Sequence, residues 1–129
     1  MKKLVLVLFV GLLAVSLNAQ EKSAKIEFKS DTVDYGNIEK GSDGLRVFQF
    51  TNTGDAPLII SKVNSSCGCT IPKSPEGPIL PGKTGEIQVK YDTNRVGPIR
   101  KAITVISNAD TPTVVLKIKG DVKDTVVIQ

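Results

Sequence analysis

Residues 84 to 91 read Thr84-Gly85-Glu86-Ile87-Gln88-Val89-Lys90-Tyr91. Ile87, Val89 and Tyr91 fall on every second position, with Glu86, Gln88 and Lys90 between them. A period of two is that of a strand with one buried face, since successive side chains point to opposite sides. The same residues wound into a helix would scatter their apolar groups around the axis. This octet sets the reading of what lies on either side of it.

Downstream, Ile99 to Ser107 places Ile103 and Val105 inward, and Asn108-Ala109-Asp110 turns the chain into Thr113 to Gly120. There Val114, Leu116 and Ile118 face the core. Upstream, Gly44 to Thr51 carries Phe48 and Phe50 on one face. Asn52-Thr53-Gly54-Asp55 follows as a turn, because its side chains accept backbone hydrogen bonds and Gly54 tolerates positive φ. Pro57 to Val63 is a further strand. Lys25 to Phe28 and the shorter Thr32 to Tyr35, ending at Gly36-Asn37, precede them. Ser74-Pro75-Glu76-Gly77-Pro78 and Pro81-Gly82 break regular structure and mark a loop.

Beyond residue 19 the chain holds 11 Val, 12 Ile and 10 Thr against 4 Leu and 4 Ala. Branching at Cβ suits a pleated surface better than a helix, and no sustained 3.6-residue apolar pattern appears. About seven strands with turn signals every 8 to 12 residues predict an all-β fold, an immunoglobulin-like β-sandwich. The Cys-Trp-Cys hallmark of antibody domains is missing, since there is no Trp and the two Cys stand too close to join two sheets. Val122 to Gln129 reads as a last edge strand or a frayed end. The sharper alternative is a strand that pairs with a partner's sheet edge.

The first 19 residues have a different character. Lys2 and Lys3 precede an apolar run from Leu4 to Leu17, followed by Asn18-Ala19-Gln20. This is the pattern of a secretory signal peptide, cleaved after Ala19; the run is shorter than the roughly 20 apolar residues of a spanning helix. The expectation is an exported protein, periplasmic or secreted, with one domain over 20–129 and no membrane span once the signal is removed. Of 17 Lys and Arg, Lys2 and Lys3 leave with the signal, so 15 remain against 13 Asp and Glu, a net +2. The basic residues are spread along the chain without aromatic companions, so nucleic acid is not an expected partner.

The chain has no histidine, which removes His-based triads, His metal sites and the commonest general base. No phosphate-cradling glycine loop and no cofactor-binding pattern is present, so no cofactor is expected. Asp31, Asp34 and Glu39 read as solvated or turn-capping carboxylates. The remaining chemistry lies in Ser65-Ser66-Cys67-Gly68-Cys69-Thr70-Ile71-Pro72. Cys67 and Cys69 are presented together by the short glycine spacer, and an exported location favours their oxidation. A disulfide closing three residues contributes only about 1.6 kcal/mol by chain entropy, so stapling alone is a poor reason for it. Disulfide exchange, binding of a soft ion such as Cu(I), and simple packing as thiols stay open. Zinc would need about four ligands that one chain without His cannot supply from Cys67 and Cys69 alone.

Phe48-Gln49-Phe50-Thr51-Asn52-Thr53-Gly54-Asp55-Ala56-Pro57-Leu58-Ile59-Ile60, Ser66 to Pro72, Pro81-Gly82 with Gly85-Glu86-Ile87, and Leu116-Lys117-Ile118-Lys119-Gly120 together resemble a bacterial family known only as domain of unknown function 1573. The resemblance covers about residues 30 to 122. It implies an immunoglobulin-like sandwich similar to PapD-type and major-sperm-protein-type modules, and no activity. The resulting expectation is a non-enzymatic module acting in protein–protein interaction or envelope structure, with protein partners in the cell envelope, through a sheet edge or loop. Thr70, Pro72, Lys73, Pro75 and Pro78 are the candidate contacts, and a thiol function of Cys67 and Cys69 is the alternative. Oligomeric state is not specified by the sequence.

Overall fold

The computed structural model describes residues 22–124. The expected signal segment and residues 125–129 of the tail lie outside them. Among the described residues the elements are β1 (Ile26–Phe28), β2 (Thr32–Glu39), β3 (Leu45–Asn52), β4 (Ile60–Ser65), β5 (Thr70–Lys73), β6 (Thr84–Tyr91), β7 (Gly97–Ser107) and β8 (Thr113–Lys123). They form two four-stranded sheets, a first with order β1-β3-β6-β5 and a second with order β2-β8-β7-β4. All pairings are antiparallel except that of β2 with β8, which is parallel. The fold is all-β, as the alternation of Thr84 to Tyr91 requires.

The alternating positions of the two sheets meet between them. Phe48 and Phe50 of β3, Ile87 and Val89 of β6, Ile99, Ile103 and Val105 of β7, and Leu116, Ile118 and Val122 of β8 are all essentially excluded from solvent. Each such side chain contributes about 1.5 to 3 kcal/mol of burial free energy. Phe28 closes one side by tilting against Phe50, ring centroids 5.4 Å apart.

Of the polar side chains buried with them, Asn52 is the one fully excluded from solvent. The Asn52 amide donates to the carbonyls of Ala56 (2.8 Å) and Ile79 (2.9 Å), while its oxygen accepts the N–H groups of Lys25 (3.3 Å) and Gly54 (2.9 Å). A fully paired buried amide avoids the desolvation penalty of an orphaned one. It therefore ties the lead into β1, the turn after β3 and the loop before β6 to a single point. Gly54 is needed there, since a Cβ would lie 2.2 Å from the Ser23 carbonyl oxygen.

Four element readings need correction. Thr70 to Lys73, expected as loop, is a strand, which brings the number to eight; four residues give too short an alternation to be recognised in sequence. The strand read to Gly120 runs on to Lys123, with Val122 buried in it rather than beginning a separate tail strand. The strand read to Tyr35 continues to Glu39, because Gly36 at φ 68° absorbs a register shift against β8 that no side-chain pattern announces. Proline-led Pro57 to Ile59 precedes β4 instead of opening it, and Leu58 pairs with Ile79 in an isolated bridge.

Candidate functional site

The cysteines stand where the chain passes from one sheet to the other. β4 is an edge of the second sheet and β5 an edge of the first, and Ser66 to Cys69 is the corner between them. The corner is pinned on both sides. Ser66 donates its N–H to the Ala102 carbonyl (3.0 Å) and accepts the Ala102 N–H on its hydroxyl (3.1 Å). The Ser65 hydroxyl donates to the Thr70 carbonyl (2.7 Å), and the Asp92 N–H donates to the Cys69 carbonyl (2.9 Å).

Within this frame Cys67 and Cys69 are an adjacent pair, their Cα atoms 5.4 Å apart, inside the span a disulfide accepts. The two sulfurs differ in surroundings. Cys69 is 9% exposed and belongs to the core, whereas Cys67 is only partly covered. The Cys69 N–H points at Cys67 Sγ, 3.1 Å away, and the Thr70 hydroxyl stands 3.8 Å from Cys69 Sγ. Among the described residues no group of three or more Cys, Asp, Glu or His is assembled as a metal cage.

The outer face of the first sheet adjoins this corner. Register sets Ile71 of β5 opposite Lys90 of β6, and Lys90 opposite Leu45 of β3; the next row is Lys73, Gln88 and Val47. Ile71 is 65% exposed, Leu45 42% and Val47 39%. Three aliphatic side chains thus stand in solvent on the same face as the exposed Lys90 and Lys73. Beside them the loop after β5 overhangs β6 and leaves a cleft of 590 Å³ lined by Lys73, Pro75, Glu76, Glu86 and Gln88 among others. The second sheet's outer face differs in character, with Arg100 opposite Lys119 across β7 and β8, and Lys117 two positions along.

Of the expected contact residues, Lys73 and Pro75 line that cleft, while Pro78 is exposed beyond it, just before the Ile79 bridge. Thr70 is corrected: only 2% exposed, it points into the sandwich and is no surface contact. Pro72 also sits on the inward-facing parity of β5, half-buried, so it reaches the surface only in part. Both follow from the alternation of an unrecognised strand. The Asp92–Cys69 bond makes Thr70 and Pro72 the β5 residues whose backbone faces the open edge. Pro72 has no N–H, the Thr70 N–H donates to the Cys67 carbonyl (3.3 Å), and the Thr70 carbonyl accepts Ser65. The edge is thereby blunted against strand addition, and what it offers is side chains.

Ile71, Leu45 and Val47 were not singled out by the sequence reading. A signal existed: Gly44 to Thr51 has Leu45 and Val47 on one face and Phe48 and Phe50 on the other, more apolar surface than one core can bury. The carboxylates behave as capping groups, with Asp34 accepting the Gly36 N–H (2.8 Å) and Asp31 the Thr32 hydroxyl (2.9 Å).

Several solved structures share the sandwich. A protein of unknown function from Porphyromonas gingivalis W83 matches 76% of this chain at 20% identity and TM-score 0.68; this chain spans 46% of that protein. PapD-like domain 7 of human CEP192 matches 83% of this chain and 91% of its own at 10% identity and TM-score 0.66. The periplasmic chaperone SfaE matches 80% of this chain and 60% of its own at 12% identity and TM-score 0.51. At such identities the likeness is one of fold. No curated protein matches the chain. Residues 26–122 match the model of one family, from the start of β1 to within one residue of the end of β8, and the chain therefore belongs to the family described as "Protein of unknown function (DUF1573)".

Proposed function

We propose that this chain is an exported, non-enzymatic interaction module. It docks a polypeptide partner of the cell envelope on the outer face of the β3-β6-β5 sheet, beside a corner closed by a Cys67–Cys69 disulfide. The observation that carries the reading is Ile71: an edge residue 65% exposed, aligned through Lys90 with exposed Leu45. Aliphatic side chains left in water gain from being covered, at about 25 cal/mol per Å² of apolar surface. Lys90 and Lys73, both exposed on the same face, add positive charge beside them. The cleft under Pro75 and Glu76 supplies relief beside this row, and the rest of the interface lies on a rigid sheet.

Export is supported by the amino-terminal pattern of Lys2, Lys3 and the apolar run to Leu17. The disulfide is supported by the spacing of the Cα atoms and by that expected compartment. A periplasmic chaperone built on the same sandwich fits a protein-binding role in the envelope.

Affinity purification of the chain from its native envelope, with Ile71→Asp and Leu45→Asp together, tests the surface. Recovery of specific partners is expected to fall about tenfold, the loss of roughly 1.4 kcal/mol. Thermal stability should hold within about 0.5 kcal/mol, since both side chains are already exposed. Unchanged recovery from a folded double variant would contradict the reading.

A further inference from the structure

We infer that the Cys67–Cys69 corner is a thiol–disulfide exchange site that oxidises a dithiol segment of an exported polypeptide, with Cys67 as the sulfur that meets the substrate. The inference rests on the disulfide in the reading above, replaces its non-enzymatic part with a redox role for this corner, and is independent of which surface docks the partner. Three observations make the pair unequal. Cys67 is partly exposed while Cys69 lies in the core, so an incoming thiolate reaches Cys67 first. The Cys69 N–H is aimed at Cys67 Sγ at 3.1 Å, a donor already in place for negative charge on that sulfur. The third concerns Lys101. The β4–β7 register runs Ser65 to Ile103, and the Ser66–Ala102 bonds extend it by one step, so that Lys101 is the next residue of β7 where Cys67 is the next residue after Ser66. Lys101 shares the inward-facing parity of Ile99, Ile103 and Val105 and is the one charged residue on that side of β7.

A backbone N–H and a cation both favour the thiolate of a cysteine beside them. The exchange then proceeds in two displacements. A substrate thiolate attacks Cys67 Sγ, a bond forms between those sulfurs, and the Cys67–Cys69 bond breaks with its electron pair leaving on Cys69. The Thr70 hydroxyl stands beside the departing sulfur, which takes up the proton that the substrate thiol released to solvent on forming its thiolate. In the second step the substrate's other thiolate attacks its own sulfur in the mixed disulfide. Cys67 leaves as a thiolate toward the Cys69 N–H. The substrate gains a disulfide and loses two electrons; Cys67 and Cys69 gain them and become a dithiol. The direction follows from the small gain in closing a three-residue ring together with a stabilised reduced form, both of which favour the reduced pair.

The test has two arms on the purified mature chain. Intact mass before and after thiol alkylation first establishes whether the pair is oxidised; free alkylation of both cysteines in unreduced protein overturns the disulfide reading itself. On oxidised protein, reduced glutathione is then added and the mixed disulfide is trapped with acid and located by peptide mass. Glutathione on Cys67 is expected, and glutathione on Cys69, or a pair that glutathione leaves oxidised, overturns the exchange site. In single-cysteine variants, Cys69→Ser should react with a disulfide reagent at neutral pH about tenfold faster than Cys67→Ser. Lys101→Gln should slow the Cys67 reaction and shift its pH profile upward, with Lys101→Arg restoring it. Equal rates in the two single-cysteine variants, or a Lys101→Gln profile that does not move, would count against the assignment.

Discussion

Tyr35 shows how a single side chain sets a local property of this fold. Its hydroxyl donates to the Gly44 carbonyl at 2.7 Å, its ring packs 6.2 Å from that of Tyr91, and the Arg46 guanidinium sits 4.3 Å over its centre. Burial pushes the phenol up to about 12, with Arg46 pulling the other way. An unfolded tyrosine ionises near pH 10. The proton is therefore held more tightly by the folded chain, and the stability this confers is complete below pH 10 and lost as pH rises from 10 through 12. Tyr35→Phe should flatten that alkaline decline in chemical denaturation measured at a series of pH values. Near neutrality it should cost only about 1 kcal/mol, because Gly44 keeps the Tyr91 N–H as a partner. An alkaline decline of the same steepness in the variant would place its origin elsewhere.

At the scale of elements, the strands with long alternation were legible and the irregular ones were not. Thr84 to Tyr91 lies where its apolar period puts it, because a buried face fixes register. β5 was hidden: it has four residues, one of them Pro72, and the turn-forming Cys67-Gly68-Cys69 before it reads as loop. The continuation of β8 past Gly120 was hidden too. Glycine there looks like a terminator, yet it is required by β2 passing close: a Cβ at residue 120 would lie 2.8 Å from the Tyr35 Cβ and 2.9 Å from the Gly36 carbonyl oxygen, at φ 150°. Gly120→Ala is accordingly expected to destabilise the domain by about 1 to 3 kcal/mol. Hydrogen exchange should show the β2–β8 pairing loosening before the β7–β8 hairpin. A variant as stable as the parent would mean that β2 shifts freely against β8.

Considered whole, the molecule presents two unlike outer faces on one core. That of the second sheet carries Arg100, Lys117 and Lys119; that of the first carries Leu45, Val47 and Ile71 beside a cleft and the cysteine corner. The cysteine pair was legible as a site because two thiols one residue apart have few uses. The apolar row was not, because Leu45 and Ile71 are 26 positions apart in sequence and meet only through β6. Exposed apolar side chains gathered on one sheet face mark a docking surface, and on the reading proposed above this face, and not the basic one, meets the partner. A photo-crosslinking residue placed at position 71, and separately at Val115, which is 48% exposed on the second sheet's outer face, tests it in the native envelope. A discrete adduct is expected from position 71 that disappears when Leu45→Asp is added, and none from position 115. An adduct from position 115 alone, or equal adducts from both faces, would contradict it.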